Sequence, residues 1–293
     1  MLRRFSCVRR LVATGGTALA LLCVCALAVS PARARSAAPI ARPAASPVVA
    51  VVDTGVAAHR ALAGRVLPGW SALTGRPGTD ANGHGTQVAG IVAATCPTCR
   101  VLPVQVAGAD GSATDADIAA GIEWAAHHGA RIVNVSLAGP CVDPVLERAI
   151  RDAVAAGALV VAAAGNAGST DPTACAVECG GYPAAFAPQV PGLVAVAATG
   201  AGGRLLPSSN RGPWVTLAAP GGFTAPALGG GLRAVVPGTS YAAAYVSGLA
   251  GDALALDPAA TVTRVRALLV ATARRAGGLR VADAAALTHA LRR

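Results

Sequence analysis

After residue 47 the chain is punctuated by short runs in which nearly every position is apolar: Val48–Val52, Val101–Val106, Arg131–Leu137, Ala158–Ala163 and Leu193–Ala198. A strand with one wet face alternates apolar and polar residues, whereas a run without alternation marks a strand covered on both faces, as in a parallel sheet. Between the runs the spacing changes to that of helices. Ile118, Ile122 and Ala125 follow the capping residues Thr114 and Asp115 and stop at Gly129, while Leu146, Ile150 and Val154 follow Pro144 and stop at Gly157. This βαβαβ alternation predicts an α/β fold with a parallel sheet and right-handed crossovers. Further on, Ser208–Gly222 reads as loop with a short strand at Trp214–Ala219. The Ala-rich segment from Gly238 reads as a helix, a second helix starts at Thr263, and a tail from Gly277 carries a last one.

The residues before this pattern have a different character. Four arginines precede the apolar run Ala18–Val29, and Ala32-Arg33-Ala34 offers a small-residue cleavage site, so residues 1–34 read as an export signal peptide. An uncleaved anchor is the alternative, since apolar residues begin at Leu11. Residues 35–47 read as a linker. The formal charge of +10 resembles a nucleic-acid signal until it is located. Residues 1–47 hold seven arginines and no acid, leaving 17 arginines against 14 acids from residue 48 on, a balance of +3. A near-neutral body excludes nucleic-acid binding as the main role. No later run is long and apolar enough for a membrane span. Residues 48–293 are enough for one domain.

Candidate chemistry sits where predicted strands end and helices begin. Asp53-Thr54-Gly55 closes the first strand, at the sheet edge where functional groups gather. The same triplet marks aspartic proteases, but those need two aspartates and this chain has one copy. His84 stands at the entrance of the helix in Asn82-Gly83-His84-Gly85-Thr86-Gln87, and Asn166 follows the strand ending in Ala164-Gly165. Gly238-Thr239-Ser240 delivers a serine to a helix N-terminus, whose free N–H groups and partial positive charge suit a developing oxyanion. Taken singly, Thr239 or Ser240 reads as a helix cap, His84 as an exposed polar residue and Asn166 as a turn residue.

In register, the four stretches VVDTGV, NGHGTQVAG, VVAAAGNAGS and PGTSYAAAYVSG resemble the subtilisin-like serine proteases, and the likeness covers essentially the whole chain after the leader. The order Asp, His, Ser is subtilisin's own and comes with the resemblance. The likeness implies a three-layer sandwich, α/β in class, with a central mostly parallel β-sheet flanked by helices. It also implies a secreted endopeptidase, monomeric, acting on peptide or protein substrates through an acyl-enzyme and needing no cofactor. Ser240 would be the nucleophile, His84 the general base and acid, Asp53 the partner that fixes the imidazole, and Asn166 an oxyanion donor beside the Ser240 N–H. Ser136, Leu137, Ala138 and Gly139 would pair with an extended substrate as an added strand. Two other readings stay open: a catalytically silent peptide-binding module in the same groove, and a maturation protease dedicated to one partner.

The chain also departs from the family pattern. Many exported relatives carry a folding pro-domain after the signal, where this chain has only residues 35–47, implying unaided folding or a helper in trans. Cys96-Pro97-Thr98-Cys99 stands where the family's calcium loop would insert, so no calcium is expected there. Gln87 replaces a usual histidine, Tyr241 a usual methionine and Ala244 a usual proline. Five cysteines survive signal removal. In an exported protein they should form disulfides. We expect a local Cys96–Cys99 bridge and a bond from Cys141 to Cys175 or Cys179, leaving one thiol odd. A redox motif at Cys96/Cys99, or a zinc site joining that pair to Cys175 and Cys179, are the alternatives.

Overall fold

A computed structural model describes residues 46–73, 78–173 and 180–293; the expected signal peptide, nearly all of the linker, Cys175 and Cys179 lie outside them. The first half runs β1 (Val48–Asp53), β2 (Trp70–Ser71), α1 (His84–Thr95), β3 (Arg100–Gln105), α2 (Asp115–His127), β4 (Ile132–Val135), α3 (Pro144–Ala155) and β5 (Leu159–Ala163). The second half runs β6 (Leu193–Thr199), β7 (Leu217–Pro220), β8 (Thr224–Pro226), β9 (Leu232–Ala234), α4 (Thr239–Leu256), α5 (Val262–Ala271), β10 (Arg274–Ala276), β11 (Leu279–Val281) and α6 (Ala284–Leu291).

Nine strands form one sheet in the order β10-β11-β7-β6-β5-β4-β1-β3-β2, parallel throughout except where β10 folds back on β11. The unbroken apolar runs are explained by burial on both faces. Along β1, Val49 and Val51 enter one core with α1 and α4, while Ala50 and Val52 enter the other with α2 and α3. Four α-helix starts carry side-chain caps, from Thr114, Asp143, Thr261 and Asp283; Thr114 accepts from the Asp117 N–H at 3.1 Å and Asp143 from the Val145 N–H at 2.7 Å.

Like α1, with 9 of 12 residues buried, the longer α4 has 13 of its 18 buried and little solvent face. Its small residues allow close packing. A Cβ on Gly251 would lie 2.5 Å from Cys99 Sγ, and one on Gly248 would lie 2.5 Å from Thr95 Cβ. Cys99 is bridged to Cys96, and both are fully buried. That bridge takes up two of the four sulfurs that the zinc alternative would use. Cys141 is a free, exposed thiol. Among the described residues no group of His, Cys, Asp or Glu is placed to hold a metal ion.

Three features depart from the sequence expectation. The strand expected at Trp214–Ala219 is β7, shifted to Leu217–Pro220. The helix expected from Thr263 starts at Val262, capped by Thr261, and ends at Ala271. Its expected last turn instead forms β10, which returns as β11 through Gly277-Gly278, both at positive φ (55° and 78°). Two such residues suit a tight hairpin turn, a signal legible in the Gly-Gly pair. The hairpin β8–β9 was likewise not expected.

Candidate active site

The sheet's order switches at β1, whose neighbours are β3 on one side and β4 on the other. In open parallel sheets a crevice forms beyond the strand C-termini at such a point. Asp53 is the last residue of β1, Ser136–Gly139 follow β4, Asn166 follows β5, and His84 and Ser240 lie in the first turns of α1 and α4. A cleft of about 620 Å³ is lined by His84, Ser136–Gly139, Asn166 and Ser240, with Asp53 behind His84. The structure thus brings together residues spread over almost 190 positions of sequence, from 53 to 240.

His84 Nδ1 lies 2.8 Å from Asp53 Oδ1 and 3.0 Å from Oδ2. The carboxylate is fully buried, and the Thr54 N–H also donates to Oδ1 at 2.8 Å. A buried acceptor facing Nδ1 fixes the proton there and leaves Nε2 as the basic nitrogen. This approach of helix to strand requires Gly85. A Cβ on Gly85 would lie 2.1 Å from the Gly55 carbonyl oxygen and 3.1 Å from Asp53 Oδ1.

Asp80 holds the turn that presents His84, a role the sequence reading missed. Its buried carboxylate accepts from the N–H groups of Asn82 (3.1 Å), Gly83 (2.7 Å) and Thr86 (2.9 Å). The hydroxyls of Thr54 (2.9 Å) and Thr86 (2.7 Å) donate to it as well. Thr54 therefore ties the end of β1 to the start of α1. An acid two to four residues before a helix is a plain signal for such a turn.

At Ser240 the helix-cap reading fails. The N-cap is Gly238, whose backbone is extended, and no side chain caps α4. Ser240 Oγ donates to the Ser136 carbonyl at 3.1 Å, and Ser136 Oγ donates back to the Ser240 carbonyl at 2.9 Å. Behind them Asn134 Nδ2 donates to Ser136 Oγ (2.8 Å) and Ser247 Oγ donates to Asn134 Oδ1 (2.9 Å). All of Asn134, Ser136 and Ser247 are buried. This buried polar chain locks α4 to β4 in register; the strand reading of RIVNVSL gave no sign of it.

Asn166 Oδ1 accepts from the Thr239 N–H (2.9 Å) and from Thr239 Oγ1 (3.0 Å), which turns the amide nitrogen toward the cleft. The preceding Gly165 has φ +94°, and a Cβ on it would lie 2.1 Å from the Gly180 carbonyl oxygen. Of the four residues expected to pair with substrate, Gly139 has its N–H and carbonyl bonded to Tyr182 (2.8 and 3.0 Å). The far wall carries Asp110, held below the usual aspartate range by its bonds from Ser112, and Asp115, pushed above it by burial and then by Asp143.

A serine at a helix N-terminus, an imidazole backed by a buried carboxylate, and an oriented amide match a serine-hydrolase class of site. Residues 44–287 match the Subtilase family. Subtilisin BL of Lederbergia lenta is 35% identical over 77% of this chain and 82% of its own length. Thermitase of Thermoactinomyces vulgaris is 35% identical over 78% of this chain and 82% of its own. The chain spans 58% of the M-protease of Shouchella clausii, again at 35% identity. Among solved structures, a cold-adapted subtilisin-like serine proteinase superposes with TM-score 0.69 at 27% identity, covering 83% of this chain and 86% of its own. The protease domain of PatA, in a serine-to-alanine mutant, superposes with TM-score 0.71 at 26% identity, over 87% and 98%. This chain belongs to the subtilase family, and its class is that of the serine endopeptidases.

Proposed function

We propose that the protein is an exported endopeptidase that cuts peptide bonds through an acyl-Ser240 intermediate. The observation that carries this reading is the buried Asp53 carboxylate 2.8 Å from His84 Nδ1, in the one cleft that also holds Ser240 and Asn166. An extended peptide lies along Leu137–Ala138, the part of the β4 extension ahead of the Gly139–Tyr182 bridge. The Ser240 hydroxyl turns from the Ser136 carbonyl to His84 Nε2, which takes its proton as Oγ attacks the scissile carbonyl. Asp53 stabilises the imidazolium, and the Asn166 amide with the Ser240 N–H receives the oxyanion. The imidazolium then gives its proton to the leaving amine. Water, activated by the same imidazole, hydrolyses the acyl-enzyme.

Residues 1–34 act as the signal for export, and residues 35–47 as a linker. Among the described residues no helix is long and apolar enough to cross a membrane. The Cys96–Cys99 bridge is compatible with an oxidising compartment. Labelling the purified full-length chain with a fluorophosphonate probe tests the catalytic reading, with Ser240→Ala and heat-denatured protein as controls. Labelling confined to the folded wild type supports an activated Ser240. A folded wild type that does not label would overturn the reading in favour of a peptide-binding role.

A further inference from the structure

Two departures from the family pattern, Gln87 and Tyr241, meet in space. Tyr241 follows Ser240 in the first turn of α4 and is buried, with its ring centroid 5.5 Å from that of His84 at a tilt of 45°. Its hydroxyl lies 2.7 Å from the side-chain amide of Gln87, one turn beyond His84 on α1 and also buried. A buried amide needs partners at both ends. With its nitrogen toward Tyr241, Gln87 donates to the hydroxyl, and its oxygen accepts from Arg233 Nη2 at 2.9 Å and Nε at 3.3 Å. The guanidinium dictates that orientation, since the reverse would set two donors face to face.

Arg233 comes from β9, an exposed strand of the small β8–β9 hairpin. Three elements thus form a continuous line from an exposed cation to the His84 ring. The bond to Asp53 fixes where Nδ1 sits but not the tilt of the ring about that contact. Tyr241 packs on the ring, and a charge-assisted bond through Gln87 holds Tyr241 in turn. The hairpin has other anchors on the body: His59 Nε2 to the Gly231 carbonyl at 2.8 Å, and Pro226 packed where a Cβ on Gly90 would lie 2.1 Å from its Cδ. Losing Arg233 therefore cuts the line without releasing the hairpin.

We propose that Arg233, Gln87 and Tyr241 are positioning residues for His84, so that the β8–β9 hairpin sets the working plane of the imidazole. The proposal rests on the protease reading above for its kinetic consequence, but not for its structural one. In the full-length protein, the low-field proton resonance of His84 Nδ1–H, assigned by its loss in His84→Ala, reports ring position without turnover. That resonance should be sharp in wild type and broadened or displaced in Arg233→Ala, Gln87→Ala and Tyr241→Phe. Arg233→Lys, which keeps a charged donor, should restore it.

In peptide hydrolysis, kcat should fall about tenfold in the same three variants while KM moves less than about twofold. The Arg233→Ala/Gln87→Ala double variant should be no worse than either single one, because both cut the same line. A resonance unchanged in Arg233→Ala, whose exposed site makes it the variant safest for folding, would overturn the proposal. So would losses that add in the double variant. Should wild type neither label nor hydrolyse, the protease reading falls while the resonance still decides the positioning.

Discussion

Thr239 grips Asn166 twice, its N–H and its hydroxyl both reaching Oδ1 at 2.9 and 3.0 Å. The residue before Ser240 thereby orients the Asn166 amide, which ties the loop after β5 to the start of α4. Thr239 Oγ1 also accepts from the Gly165 N–H at 3.1 Å, which fixes the loop that carries Asn166.

From this we expect Asn166→Ala to lower kcat by about 10²–10³, the loss known for the equivalent donor in subtilisin rather than one worked out from this chain. Thr239→Val, which keeps the shape but removes the hydroxyl, should cost about tenfold in kcat. In the double variant the Thr239 substitution should add almost nothing. Steady-state kinetics on a peptide amide would settle it; two fully additive losses would separate the residues.

Asp80 makes a second, purely structural test. Its carboxylate accepts from three N–H groups and two hydroxyls around the His84 turn. Asp80→Asn puts an NH₂ among donors and should cost at least about 2 kcal/mol of stability, since bonds to an ionised acceptor are the strong ones. Denaturant melts measure the loss. Activity should fall with it even in the fraction that stays folded, because the turn carries His84.

Asp252 on α4 is partly buried, and burial raises its carboxyl above the usual aspartate range. The folded state then binds its proton more tightly than the unfolded chain does. That contribution to stability is present at low pH and is lost as pH rises from the ordinary aspartate value through the raised folded one. Asp252→Asn should therefore raise the melting temperature at neutral pH. The gain should shrink once the pH drops below the usual carboxylate range. Equal gains at both pH values would refute the burial account.

The contact of α4 with the Cys96–Cys99 bridge gives a packing test. Gly251→Ala would drive a methyl to 2.5 Å from Cys99 Sγ and should cost about 1–3 kcal/mol. Replacing both cysteines by alanine opens a four-residue loop, for which chain entropy alone predicts about 2 kcal/mol. The double replacement should also relieve the Gly251→Ala clash, so the combined variant should be more stable than the sum of the parts. Thermal melts of the four proteins read out the coupling.

Much of this was legible in the chain because the relevant signals are local. The unbroken run VVAVV could only be a strand covered on both sides, and Asp53, His84 and Asn166 each stand where such an element begins or ends. What stayed hidden depends on contacts between distant segments. Nothing in RIVNVSL announces that Asn134 and Ser136 bond across to Ser247 and Ser240, since the sequence shows only polar residues in an apolar strand. Gln87 reads in the sequence only as a departure from the family pattern, because its partner Arg233 comes from a hairpin with almost no sequence signature. Asp80 and the Gly277-Gly278 turn are different: their signals were present and were passed over.

The placement of Ser240 at the head of α4, a helix with 13 of its 18 residues buried, bears on how the protein ages. Openings of surface loops are frequent and shallow, whereas a helix with no wet face exposes itself only when the whole domain opens. Heat inactivation should then track global melting with a single midpoint, leaving no half-working form. A population of such molecules would contain folded protein and unfolded chain, with little in between. Damage would then appear as lost molecules rather than as a uniformly weakened activity.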